Sequence, residues 1–250
     1  MQVIVNDLLT NYSLQGDGKL VLLLHGWGDN SQGSLALQKQ LAQKYQVLTP
    51  DLPGFGKTQL PPSAWDLDDY ANYLVALLDK LQLNQPYAII GHSNGGAIAI
   101  RGTALGLLQP QKLVLMASAG IRSGKTIKKV LLQIIAKSGD LATIGLPDRY
   151  RNALRRQLYK SAGSDYLAVE QMEETFKKTV KQDVQADAEK ITRPTLLIFG
   201  QNDKAVPPYM GVRYKTLIKD SSLHMLPDVG HFVHLDQPTV VSKLIEDFLA

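Results

Sequence analysis

Ser93 stands in Gly91-His92-Ser93-Asn94-Gly95, a G-x-S-x-G stretch. The apolar run Tyr87-Ala88-Ile89-Ile90 precedes it and Gly96-Ala97-Ile98-Ala99-Ile100 follows it. The first run reads as a buried strand, the second as the start of a helix. A serine on so sharp a strand-to-helix turn is held in a strained backbone conformation with its hydroxyl outward. The flanking glycines are needed because side chains there would clash. Ser93 is therefore a candidate nucleophile. A serine hydroxyl attacks at neutral pH only when a base takes its proton, and the base needs an acid to orient it. Asp203 lies in Gly200-Gln201-Asn202-Asp203, directly after the apolar run Thr195-Leu196-Leu197-Ile198-Phe199. His231 lies in Pro227-Asp228-Val229-Gly230-His231-Phe232, shortly after Ser222-Leu223-His224-Met225-Leu226.

Residues so far apart in the chain meet only if the elements carrying them converge. Five short runs look like buried parallel strands: Leu20–Leu24, 45–49, 87–90, Lys112–Met116 and 195–199. Their near-continuous apolar character suits strands covered on both faces. The run 222–226 alternates more and suits an edge, and Val3-Ile4-Val5 with residues near Tyr12 suits a starting hairpin. Between the runs, helical periodicity fills 68–81, with Leu74, Leu77, Leu78 and Leu81 on one face and Asp66 or Asp68 as cap. Residues 95–108 and 239–249 also read as helices. Alternation of this kind means a doubly wound, mostly parallel sheet. In such sheets the carboxyl ends of the strands face one crevice. Ser93, Asp203 and His231 all fall in turns just past such ends.

Acyl transfer also needs N–H groups aimed at the negative oxygen that develops in the transition state. The N–H of Asn94, next after the nucleophile, is one candidate. The loop after 20–24 supplies the other, assigned to Trp27, which is also expected against the substrate. Losing such a donor costs about 3 kcal/mol in the transition state.

Each of these residues has a competitor. Asp228 precedes the histidine but follows no central strand. His25 and His92 flank glycine turns and read as structural, His224 falls inside the last strand, and His234 faces elsewhere on a helical turn. Asp51, followed by Pro53-Gly54-Phe55-Gly56, reads as shaping a turn, and Trp65 as packing. The stretch Ala119-Gly120-Ile121-Arg122-Ser123-Gly124-Lys125-Thr126 mimics a phosphate-binding loop, which needs G-x-x-x-x-G-K-[ST]. Its first glycine position is Ala119, and counting from Gly120 leaves the loop one residue short, so no nucleotide is expected.

The alternation of strand and helix breaks between 121 and 187. This stretch has helical spacing at Val130-Leu131-Ile134-Ile135 and Met172-Phe176-Val180 and reads as a helical cap, or lid, inserted into a core made of 1–120 and 188–250. Net charge over the whole chain is +4, yet 121–181 alone holds thirteen Lys and Arg against six Asp and Glu. The basic charge thus belongs to the insertion, densest at Arg149, Arg151, Arg155 and Arg156. It suits an anionic substrate or an acidic carrier-protein partner. No nucleic-acid reading motif accompanies it. The chain has no cysteine, which excludes disulfides, thiolate nucleophiles and sulfur metal sites. No run approaches 18 apolar residues and no secretory leader is evident, so a cytoplasmic protein is expected.

Taken together, His25-Gly26-Trp27-Gly28, Asp51-Leu52-Pro53-Gly54-Phe55-Gly56, Gly91-His92-Ser93-Asn94-Gly95-Gly96, Gly200-Gln201-Asn202-Asp203 and Gly230-His231 resemble the α/β-hydrolase fold superfamily nearly end to end. The order Ser, Asp, His is that of its triad. The resemblance implies Ser93 as nucleophile, His231 as general base, Asp203 as orienting acid, and no metal or organic cofactor. It implies a serine hydrolase acting on small-molecule carboxylic esters. Dehalogenases and epoxide hydrolases of this superfamily use an aspartate where Ser93 stands. Carbon–carbon bond hydrolases of ring-cleavage products share the triad and stay open as an alternative. So do slow-turnover small-molecule receptors, and an aminopeptidase with Glu173 and Glu174 binding the amine.

Overall fold

The computed structural model describes residues 1–83, 85–122 and 172–250. Within them lies one eight-stranded sheet: β1 (Gln2–Val5), β2 (Leu8–Gln15), β3 (Leu20–Leu24), β4 (Gln46–Pro50), β5 (Ala88–His92), β6 (Lys112–Met116), β7 (Thr195–Gly200) and β8 (Ser221–Leu226). The strand order is β1-β2-β4-β3-β5-β6-β7-β8. β1 and β2 form the expected hairpin, and β2 runs antiparallel to β4. All other pairs are parallel. β8 is the far edge, and its alternating burial explains why it reads less apolar than its neighbours.

The fully apolar strands are sandwiched. Along β3, Leu20, Leu22 and Leu24 enter one core with Leu67, Leu74 and Leu77 of helix Leu67–Lys80. Val21 and Leu23 enter the opposite core with Leu37 and Leu41 of helix Leu35–Leu41 and with Val241, Ile245 and Leu249 of helix Pro238–Leu249. The period of two along the strand thus puts successive leucines and valines under different helices. Helix Leu67–Lys80 starts where its first turn is best satisfied. Asp66 Oδ1 accepts the N–H groups of Asp68 and Asp69, and Asp69 Oδ2 accepts the N–H of Asp66, a reciprocal cap.

Helices Leu35–Leu41 and Tyr209–Leu217 have no counterpart in the sequence reading; both are short, at seven and nine residues. The helix after Ser93 spans Asn94–Ala104, shorter than the apolar periodicity suggested, because Gly106 turns left-handed at φ 72 and ends it. Most of 121–187, which the sequence reads as an insertion, lies outside the described residues, including Arg149, Arg151, Arg155 and Arg156. Its C-terminal end is described. Helix Glu173–Lys181 is held to the core by Trp65 N–H to Thr175 Oγ1 (3.0 Å), Lys178 Nζ to the Ala64 carbonyl (2.7 Å) and Leu67 N–H to Gln182 Oε1 (2.7 Å).

Candidate active site

Three loops meet past the carboxyl ends of β5, β7 and β8. Ser93 directly follows β5 and precedes helix Asn94–Ala104. Its φ of 52 and ψ of −115 are values a residue with a side chain rarely adopts. The turn is tight because its ends touch the sheet. A Cβ on Gly95 would lie 2.6 Å from the carbonyl oxygens of Leu24 and His25, so only glycine fits. Four backbone hydrogen bonds hold the strained residue, one of them from Ala97 N–H to its carbonyl at 3.3 Å. Ser93 N–H donates to the Met116 carbonyl (3.0 Å), and the Ser93 carbonyl accepts from Gly96 (3.1 Å) and Ala119 (3.0 Å). Ala119, in the stretch that mimics a phosphate loop, thus helps to fix the elbow.

Asp203 follows β7 and is buried. Its Oδ1 accepts the N–H groups of Ala205 and Val206, each at 2.8 Å, and its Oδ2 lies 2.8 Å from His231 Nδ1. Asp228 has no part in this contact. His231 keeps 19% of its side chain open to solvent. Among the described residues no hydrogen bond joins His231 to Ser93 Oγ. Such contacts are commonly loose until substrate tightens them.

The structure brings Trp27 and Asn94 to the same end of the sheet. Asn94 opens its helix, so its N–H is one of the donors that helix geometry leaves unpaired. The Trp27 N–H likewise has no acceptor among the described residues. The Trp27 ring is packed edge-on between Phe55 and Phe176, each at 4.9 Å between centroids. Helix Glu173–Lys181 therefore rests on the loop that carries Trp27.

His25 does more than flank a turn. Its Nε2 accepts the Leu52 N–H at 2.9 Å, so the ring hydrogen sits on Nδ1, which donates to the Gly26 carbonyl at 2.8 Å. That carbonyl belongs to the same peptide unit as the Trp27 N–H. Fixing one end fixes the other, because the unit is planar. Burial pushes the His25 pKa down and keeps this neutral form. His234 is also lowered, mainly by burial. Asp51 is buried too, but hydrogen bonds from Ser31, Lys57 and Asn11 outweigh the burial and hold its carboxyl below the usual range. Sequence spacing gave no sign of the clasps from His25 to Leu52 or from Asp51 to Ser31 and Asn11, since those partners lie 27, 20 and 40 positions away.

Three other residues fall elsewhere. Glu173 and Glu174 are exposed and pair with Lys177 at 2.8 Å. Trp65 packs against Tyr70 and Tyr73, as its reading as a packing residue expects. Among the described residues no group of acidic or histidine side chains is arranged to hold a metal ion.

A parallel sheet with a serine at a strained strand-to-helix turn, and a buried acid bound to a histidine, defines a class of hydrolases on an α/β scaffold. The chain belongs to the alpha/beta hydrolase family, whose sequence profile matches residues 21–244. It is 26% identical over 268 residues to a 2-hydroxy-6-oxo-2,4-heptadienoate hydrolase of Pseudomonas putida, covering 99% of this chain and 95% of that protein. The fold is similar to a meta-cleavage product hydrolase from Pseudomonas fluorescens IP01 (TM-score 0.78, 23% identity, 99% and 96% of the two chains). It is similar as well to a thermophilic esterase from Thermogutta terrifontis (TM-score 0.76, 21% identity, 100% and 97%).

Proposed function

We propose that this chain is a serine hydrolase that cleaves carboxylic esters through an acyl-enzyme. The observation that carries the reading is the 2.8 Å contact between His231 Nδ1 and a buried Asp203, at the sheet end where Ser93 is held in its strained turn. Ser93 Oγ attacks the acyl carbon while its proton passes to His231 Nε2. The oxygen that becomes negative is received by the N–H groups of Trp27 and Asn94. His231 then protonates the departing alcohol, and water repeats the sequence on the acyl group. Residues already described account for every proton in this scheme, and no cofactor is called on. Anionic acyl groups, free or on an acidic carrier protein, suit the basic insertion. The absence of cysteine suits a reducing cytoplasm, and among the described residues no helix is long and apolar enough to cross a membrane.

A second reading is hydrolysis of a carbon–carbon bond in a vinylogous diketone acid. The Pseudomonas putida relative, a 2-hydroxy-6-oxo-2,4-heptadienoate hydrolase similar over nearly the whole chain, favours it. One experiment separates the two. Wild type and Ser93→Ala are assayed side by side on p-nitrophenyl esters from acetate to palmitate and on a 2-hydroxy-6-oxo-dienoate. Ester turnover with a preferred chain length, lost in the variant, supports the first reading and sizes the acyl pocket. Turnover of the dienoate alone supports the second. Tight binding of either compound without steady-state turnover would sink both in favour of a small-molecule receptor.

A further inference from the structure

We infer that His92 is a positioning residue for the base: its ring clamps the main chain of His231 and so fixes His231 relative to Ser93, the next residue along from His92. The inference rests on the serine-hydrolase reading above. His92 Nε2 lies 3.0 Å from the His231 carbonyl oxygen, and the two rings are 4.8 Å apart between centroids. A carbonyl only accepts, so the hydrogen is on Nε2. The ring is buried, 1% exposed, and wedged among His231, Phe232 and His234, with centroids 4.8 to 5.3 Å away. Burial above all, with His234 and His231 adding to it, drives its pKa well below the ordinary histidine value, so the donor form persists. Its Nδ1 is buried and unpartnered, and faces Gly26 so closely that a Cβ there would lie 3.0 Å away. That nitrogen does no structural work, and a phenyl ring could replace the imidazole at no hydrogen-bonding cost except the one to His231.

The need for such a clamp follows from the topology. Asp203 and Ser93 are set by inner strands. His231 hangs on the loop past β8, the edge strand. Other contacts hold that loop at Leu226, Val229 and Gly230, through Gln201, Asn202 and Asp236. His231 itself is held at two points: its Nδ1 by Asp203 and its carbonyl by His92. With both pinned, Nε2 is the nitrogen left for the serine proton. The base is thus registered to the nucleophile by the nucleophile's own neighbour, on the rigid end of β5.

The test uses His92→Phe, which keeps the ring and removes the donor, and His92→Gln, whose amide restores an N–H of similar reach. Two rates are read on each: fluorophosphonate inactivation at Ser93, and kcat and KM for a p-nitrophenyl ester. Misplacing a catalytic group by around an ångström costs about 100-fold, so His92→Phe should lose about that factor in kcat and in inactivation rate, with KM nearly unchanged. Its melting temperature should hold or rise, and His92→Gln should recover at least about tenfold of the loss. Should the phenylalanine variant fold poorly, His92→Asn, whose amide falls short of the carbonyl, carries the same comparison. A folded donor-less variant that reacts at the wild-type rate overturns the clamp. Wild type that fails to react with fluorophosphonate at Ser93 overturns the serine-hydrolase reading, and the clamp with it.

Discussion

Nδ1 of His231 lies 2.8 Å from Oδ2 of Asp203, and the other oxygen of that carboxylate is already occupied by the N–H groups of Ala205 and Val206. Both oxygens are committed, so the plane of the carboxylate is fixed before it meets the imidazole. An oxygen that accepts from Nδ1–H leaves Nε2 bare, which is the tautomer a general base needs.

Asp203→Asn tests that geometry. Oδ1 is held by two donors, so the amide nitrogen must take the place of Oδ2 and face His231. Two N–H groups cannot face each other, and the ring hydrogen moves to Nε2. We expect ester kcat to fall about 10⁴-fold with the fold retained, as this change does in other triads. Steady-state assays beside thermal melts check it, and a variant within tenfold of wild type would refute the assignment of Asp203.

Ser93 pays for its exposure with backbone strain at φ 52. Glycine adopts this region freely. Ser93→Gly should therefore gain on the order of 1 kcal/mol of stability while ester turnover falls about 10⁶-fold. Ser93→Ala keeps the strain and should lose the activity without the gain. Denaturant melts of both variants separate them. Equal stability of the two would mean that the turn is not strained.

Much of this site was legible because its parts obey local rules. Ser93 is marked by its own neighbours, since the glycines that let the turn touch Leu24 and His25 sit within two residues of it. Asp203 and His231 are marked by position, each just past an apolar run. Asp203 was separable from Asp228 because only it follows an inner strand. The clasps were not legible. His25 reads as one more residue beside a glycine, and its bond to Leu52 spans 27 positions with no periodicity to reveal it. The contact of His92 with His231 spans 139. The helix Tyr209–Leu217 escaped for a related reason: it shows little one-sided apolar patterning, and Gly211 fits against the Phe199 ring where a larger residue would be pushed away.

Arg101 shows the same kind of long-range pairing. From the helix after Ser93 it forks onto Asp68 (2.6 and 3.1 Å) and reaches Asp187 (3.0 and 3.1 Å), tying the start of helix Leu67–Lys80 to the short helix Gln185–Ala188. Asp187 is almost fully buried, and Lys190, at 3.8 Å, is a distant substitute. Arg101→Met should cost on the order of 3 kcal/mol at pH 7 by stranding that carboxylate. The hydrogen bond from Arg101 holds the Asp68 carboxyl below its ordinary range. A depressed carboxyl contributes stability that is complete above about pH 4 and is lost as the pH falls through the folded-state value. The gap between wild type and variant should therefore be widest near neutrality and narrow in acid. Urea melts at several pH values measure it, and a gap that widens in acid would reverse the argument.

The contact of Phe176 with Trp27 couples helix Glu173–Lys181 to the proposed oxyanion loop. The rings meet edge to face at 4.9 Å, while Phe55 supports Trp27 in the same way. Such pairs carry about 0.5 to 1.5 kcal/mol beyond the area they bury. A double-mutant cycle on Trp27→Leu and Phe176→Leu should return a coupling in that range. If the loop is held in register by this contact, Phe176→Leu should also lower kcat more than it raises KM, because the main-chain N–H of Trp27 acts on the transition state and not on the bound ester. A change in KM alone would make Phe176 a wall of the pocket and leave the proposed oxyanion loop independent of helix Glu173–Lys181.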